Sequence, residues 1–330
     1  MHYCNGCKRT MNLLLRVLVC ALAAVLVRGQ PPVERPHILG ISHVAFDVSD
    51  LSKARAFYED FLGFAEYGLL PGKDGSVRMV FIKINDDQHI ELLTDQPPAG
   101  EGRLNHVAFY TDNAPQMREY LAARGVKVPE RVGKGKTGDL NFEFKDPDGH
   151  TIEIVQYEPT GWVMRDRGKS MPASRISLRI RHVGLSVEAL EDSMNFYGGI
   201  LGFQEFWRGS SNHGETLSWV DMRVPDGQDY VEFMLYGLRP SLDRLSVMHH
   251  FCVEVPDVRK AVAQLESRPA FKTYGRDITA KVGVNGRWQA NLFDPDGTRV
   301  EVMEPGTFDG KLVPPSTAPP PHPGGTPTCH

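Results

Sequence analysis

The sequence predicts an α+β fold built from four copies of one unit, a strand, a helix and about three further strands, paired into two domains. Three observations predict it. A short apolar strand with one histidine at a fixed place occurs four times, around His43, His106, His182 and His250. Each is followed, roughly fifty residues later, by an apolar strand with one glutamate, Glu91, Glu153, Glu232 or Glu301. Between them the spelling Phe57-Tyr58 with Leu62-Gly63-Phe64 returns as Phe196-Tyr197 with Leu201-Gly202-Phe203. Internal repetition on this scale marks duplicated supersecondary units.

The chain has 330 residues, which favours two cores over one. At the N-terminus, Lys8 and Arg9 precede an apolar stretch from Leu13 to Val27. Its uninterrupted part is too short to span a bilayer and fits a secretory signal over residues 1–29, starting at Met1 or Met11. Three of five cysteines, Cys4, Cys7 and Cys20, would leave with it, so no disulfide framework is expected. The first domain covers 38–158. Its strand at Ile41–Phe46 leads into a helix capped by Asp50 and ended by Gly63; a second helix follows Asn113 and ends at Gly125. Val77 to Ile84 reads as extended, and Asp146-Pro147-Asp148-Gly149 as a tight turn into the Glu153 strand. Residues 159–177 form the linker. The second domain, 178–304, repeats the plan, with a helix through Leu190 to Leu201, an extended Leu217 to Val224, a helix after Asp257 and an Asp294-Pro295-Asp296-Gly297 turn. Residues 305–330, rich in proline, are expected to be a disordered tail.

Strand alternation assigns the chemistry. His43, Ala45 and Asp47 share one face, while Val44, Phe46 and Val48 form an apolar face for helix packing. Glu153 lies opposite to Ile152 and Ile154 in the same way. A glutamate inside an apolar strand costs several kcal/mol unless it is paired or bound. Two units facing each other would bring two histidines and two glutamates into one cleft, a set suited to zinc, nickel, iron(II) or manganese. His249 adjoins His250, which leaves two registers open; the alignment of His-Phe-Cys-Val with His-Val-Ala-Phe favours His250. Asn141 and Glu143 in the first half, and Gln289 and Asn291 in the second, alternate with apolar residues and should line polar clefts. Cys252 shares the face of His250, as a thiol near the metal or as a small apolar filler.

At these residues the chain resembles the vicinal oxygen chelate superfamily, which includes glyoxalase I, extradiol dioxygenases, methylmalonyl-CoA epimerase and fosfomycin-resistance proteins. The resemblance covers about residues 38–304 and rests on the Phe-Tyr…Leu-Gly-Phe helix and the Asp-Pro-Asp-Gly turn. It implies paired βαβββ modules with the metal in a cleft of a curved mixed sheet. It further implies His43, Glu91, His106 and Glu153 as ligands in one half, and His182, Glu232, His250 and Glu301 in the other. Where extradiol members carry a site tyrosine, this chain has Glu143 and Asn291; where glyoxalase I contacts glutathione through an arginine, it has Asp47 and Ser186.

The expected function is an exported metal-dependent lyase or isomerase acting on a small polar substrate with vicinal oxygens through a metal-stabilised enediolate. Glu153 or Glu91 would be the base in one half and Glu301 or Glu232 in the other. An iron dioxygenase of a catechol-like substrate and a non-catalytic ligand-binding or resistance protein are the alternatives. A formal charge of −4 without a long basic run argues against nucleic acid. No stable membrane insertion is expected after signal cleavage, and the protein should be a monomer or homodimer.

Overall fold

A computed structural model describes residues 33–97, 99–212 and 214–322; the signal segment lies outside these residues, as do Cys329 and His330. Two eight-stranded mixed sheets carry the fold. The first runs, edge to edge, β2 (Ala65–Pro71), β3 (Val77–Lys83), β4 (His89–Leu93), β1 (Ile38–Asp47), β5 (Leu104–Thr111), β8 (Thr151–Gln156), β7 (Leu140–Lys145) and β6 (Gly133–Lys134). The second runs β10 (Gln204–Gly209), β11 (Trp219–Arg223), β12 (Tyr230–Leu235), β9 (Ile180–Val187), β13 (His250–Glu254), β16 (Arg299–Met303), β15 (Trp288–Phe293) and β14 (Lys281–Val282). At the centre of the first, β1 (Ile38–Asp47) pairs antiparallel with β5 (Leu104–Thr111). On its outer sides β1 pairs parallel with β4 (His89–Leu93), and β5 pairs parallel with β8 (Thr151–Gln156). Glutamate strand, histidine strand, histidine strand and glutamate strand therefore lie side by side. The second sheet repeats this with β12 (Tyr230–Leu235), β9 (Ile180–Val187), β13 (His250–Glu254) and β16 (Arg299–Met303). Modules pair with their sequence neighbours, so each half closes its own sheet.

The helices begin where the caps were expected. Asp50 accepts from Lys53 N at 3.1 Å, Asn113 from Gln116 N at 3.0 Å and Asp257 from Lys260 N at 3.1 Å. One feature differs from a plain helix. After one α-turn, Leu51–Arg55, the Phe57-Tyr58 segment widens into a π-helical stretch, Ala56–Phe61, and Met194–Ile200 does the same after Leu190–Ser193. Leu62 N reaches back to Phe57 O and Phe64 N to Tyr58 O, which turns both rings of each Phe-Tyr pair inward. Gly63 (φ +79°) and Gly202 (φ +81°) then end the segments in the left-handed region.

The two halves interlock through these segments. The Tyr58 hydroxyl donates to Asp294 at 3.2 Å and the Tyr197 hydroxyl to Asp146 at 2.9 Å, so each module's aromatic turn is anchored to the Asp-Pro turn of the other half. Phe46 meets Phe251, and Phe109 meets Phe203, with ring centres 6.0 and 5.2 Å apart. Within the linker, a short helix, Trp162–Arg165, places Trp162 edge-on to Phe81 at the rim of the first sheet. The tail corrects the expectation of disorder as far as residue 322. Ser316 N donates to Arg208 O and Leu217 N to Pro319 O, and Ala318 is buried. An extended proline-rich segment is already stiff, so laying it along the outer strand β10 (Gln204–Gly209) costs little order and covers a sheet edge. No helix among the described residues is long and apolar enough to cross a membrane.

Candidate metal centre

The antiparallel register of β1 and β5 sets His43 opposite Ala108 and His106 opposite Ala45. A small residue across from each imidazole leaves room for both rings over the sheet. Their Nε2 atoms lie 2.9 Å apart. Glu153 Oε2 lies 3.0 Å from His43 Nε2 and 3.1 Å from His106 Nε2. Glu91 stands further back, 3.7 Å from His43 and 3.5 Å from His106. The structure thus brings together four side chains spread between residues 43 and 153, all of them buried.

Each ring is held from behind. His43 Nδ1 meets Ser42 Oγ at 3.0 Å, and His106 Nδ1 meets Asn105 Oδ1 at 2.9 Å, so Nε2 of both points at the shared centre. Asn141 donates to Glu153 Oε1 at 2.6 Å. Burial alone would push the Glu153 carboxyl up, but hydrogen bonds from His106 and His43 hold it well below the usual carboxylate range. Burial works against the charge on His106 too, and the bond to Glu153 overcomes it, raising the imidazole to about 9. Four converging side chains, two imidazoles and two carboxylates, make a donor set that suits a divalent cation. Glu143 and Asn141 line the adjoining cleft of about 160 Å³, as do Tyr67 and Tyr157.

Sequence reasoning missed His89. It stacks on His43 with ring centres 4.6 Å apart and reaches Glu91 at 3.5 Å, and burial lowers it to about 3. Its place two residues before Glu91 was the available signal, because a strand returns to the same face at that spacing.

The second half assembles its quartet differently. His182 Nε2 lies 3.1 Å from His250 Nε2 and 3.2 Å from Glu301, while His250 lies 3.4 Å from Glu232. His249 is elsewhere, bonded to Ser186 at 2.8 Å and near His150 at 3.2 Å, where the halves meet. Cys252 is buried opposite both His182 and Glu301, and burial pushes its thiol well up. Asn291 pairs across to Glu301 but its Oδ1 has no partner, and Gln289 lies against Gly283. Two groups here were not foreseen. Asp221 sits directly across from Glu232, and burial lifts it to about 8; Glu232 is pushed well up by burial and by Asp221. Arg299, two residues before Glu301, brings a guanidinium nitrogen against the His250 ring, 2.7 Å from Nδ1 and 2.9 Å from Nε2.

The sequence model of the Glyoxalase/Bleomycin resistance protein/Dioxygenase superfamily matches residues 40–154 and again 179–302. The chain belongs to that superfamily. Glyoxalase I of Saccharomyces cerevisiae is 26% identical over 241 residues, 67% of this chain and 69% of that protein. The Mn(II)-bound glyoxalase of Novosphingobium aromaticivorans superposes with a TM-score of 0.61 at 20% identity, over 87% of this chain and 88% of that one. The 2,3-dioxygenase LapB of Pseudomonas sp. KL28 does so with 0.61 at 18%, over 88% and 99%. The superfamily assignment and its lactoylglutathione lyase relatives make this a metal-dependent enzyme of glyoxalase-like type, using a divalent ion.

Proposed function

We propose that the first-half cleft isomerises a small polar substrate with vicinal oxygens by moving a proton between adjacent carbons, as a lyase or isomerase. The observation that carries this reading is the unequal hold on the two carboxylates. Glu153 is fixed by two imidazoles and Asn141, whereas Glu91 stands back at 3.5 to 3.7 Å. His43, His106, Glu153 and Glu91 would hold the divalent ion, whose Lewis acidity would stabilise negative charge developing on substrate oxygen. Zinc, nickel, iron(II) and manganese all suit this donor set. The more loosely held Glu91 is the group that accepts a proton from carbon and returns it to the neighbouring carbon. Asn141 keeps Glu153 turned toward the imidazoles. Asp139, Asn141 and Glu143 give the cleft wall the polarity that an oxygen-rich substrate requires.

Glutathione is not favoured as cosubstrate. Asp47 is 2% exposed and accepts from Asn105 at 3.1 Å, and Ser186 is bonded to His249. Neither position offers a cation for a peptide carboxylate. The same proposal takes the enzyme to be exported, on the apolar Leu13–Val27 segment behind Lys8 and Arg9. Small α-hydroxy- and α-keto-aldehydes incubated with the metal-loaded protein in deuterium oxide test the chemistry. Deuterium should enter the carbon beside the carbonyl, and Glu91→Gln should stop it. Oxygen uptake on a catechol, without such exchange, would replace this reading with the dioxygenase one.

A further inference from the structure

The two quartets share residue types but differ in what surrounds them. In the first half, both imidazoles are held through Nδ1, by Ser42 and Asn105. In the second, His250 Nδ1 lies 2.8 Å from the Met248 carbonyl oxygen, while His182 Nδ1 is buried with no partner. A metal-bound histidine characteristically donates its other ring nitrogen to a fixed acceptor, and His182 has none. A donating Nδ1 leaves the lone pair of His250 on Nε2. A cation is already present at this ring: Arg299 Nη2 lies against the imidazole, 2.7 Å from Nδ1 and 2.9 Å from Nε2, and 4.0 Å from Glu232 Oε2.

Two sequence differences permit this. Thr151 stands in the first half where Arg299 stands in the second, two residues before the glutamate, so only one centre receives a guanidinium. Ala45 stands opposite His106, whereas Gly184 stands opposite His250. A Cβ on Gly184 would fall 2.0 Å from His250 Nδ1. The His250 ring therefore occupies space that a methyl group fills in the first half, sunk toward the sheet and beneath Arg299.

Resting on the metalloenzyme reading, we propose that Arg299 is the resident cation of the second quartet, and that the chain binds one divalent ion, in the first half only. The second half then uses its histidines and carboxylates as an internal ion-paired cluster. An arginine delivers one positive charge to the place where the first half takes two, and it offers N–H donors rather than an open coordination position.

The test is the metal content of the full chain saturated with manganese(II) and freed of excess. One ion per chain is expected for the wild type, one for His250→Ala and none for His43→Ala. Arg299→Thr, and the double variant Arg299→Thr with Gly184→Ala that restores the first-half pattern, should raise the content toward two. They should also gain a second step of thermal stabilisation on manganese titration, which reports folded protein independently of activity. Two ions in the wild type would overturn this inference and leave the metalloenzyme reading intact. Halved content in His250→Ala with content kept in His43→Ala would overturn it as well. No ion in the wild type would overturn both.

Discussion

Two glutamates that look equivalent in sequence are not equivalent in place. Glu153 shares one oxygen between two imidazoles and gives the other to Asn141, so under the proposed function its removal should undo the metal centre. Glu91 has no such grip, so its removal should spare the metal and stop the proton. We predict that Glu91→Gln retains bound ion but loses about 10²-fold or more in turnover. Asn141→Ala should weaken metal affinity by about 10- to 100-fold with a smaller effect on turnover at saturating metal. Metal titration beside steady-state rates checks both, and equal loss of ion in the two variants would contradict the division of roles. Far from either centre, Asp294 gives the fold a pH dependence. Burial, helped by the charge of nearby Asp296, raises its carboxyl to about 6, against bonds from the backbone N–H groups of Thr298 and Asp296 and from the Tyr58 hydroxyl. The native state thus holds a proton that the unfolded chain has already lost, so stability falls as pH rises from about 4 through 6. The loss is on the order of 3 kcal/mol. Asp294→Asn keeps an oxygen for the backbone donors and should flatten this part of the curve. Urea midpoints of the two proteins at pH 4 to 7.5 that run parallel would refute it.

Among the elements, the aromatic turns that end at Gly63 and Gly202 show how identical spelling meets different surroundings. Both glycines have φ near +80°, where an alanine costs about 1–2 kcal/mol. At Gly63 a Cβ would also fall 2.7 Å from the Ser174 carbonyl oxygen, whereas at Gly202 it meets only the Arg35 side chain at 3.1 Å. Backbone cannot yield as a flexible arginine can. Gly63→Ala should therefore lower the urea midpoint clearly more than Gly202→Ala, and the reverse order would show that the contact is not rigid. The elements also mark what could be read in advance. Period-two alternation puts His43 with Glu91 and Glu153 on clefts rather than in the apolar core, because apolar neighbours such as Val44 and Ile152 declare the other face. The caps at Asp50, Asn113 and Asp257 were legible for the same local reason. Asp221 was not, because its meeting with Glu232 depends on the pairing of two strands and on nothing near it in sequence. The π-widening was not legible either, since the Phe-Tyr pair turns inward to reach the opposite half. The tail misled because composition speaks of chain stiffness and not of the β10 edge waiting for it.

At the scale of the molecule, the halves carry separate sheets but not separate cores. Tyr58 and Tyr197, both fully buried, each donate to an aspartate of the other half. Phe46 and Phe251, also fully buried, face each other across the junction. Splitting the halves would expose all of these rings and strand the buried Asp294 and Asp146 carboxylates, a cost far above the marginal stability of one domain. Unfolding should then be a single event. Tryptophan reports mainly on the second half, with Trp207, Trp219 and Trp288 there and only Trp162 outside it. Phe46→Ala lies in the first half and should cost about 3–5 kcal/mol as a large-to-small change in a filled core. If the core is common property, the tryptophan fluorescence midpoint in urea should fall with the far-ultraviolet circular dichroism midpoint, by the same amount, in the wild type and variant alike. A fluorescence midpoint that stays put while the dichroism splits into two steps would mean that the second sheet stands without the first, and that the tyrosine–aspartate exchanges merely decorate the junction.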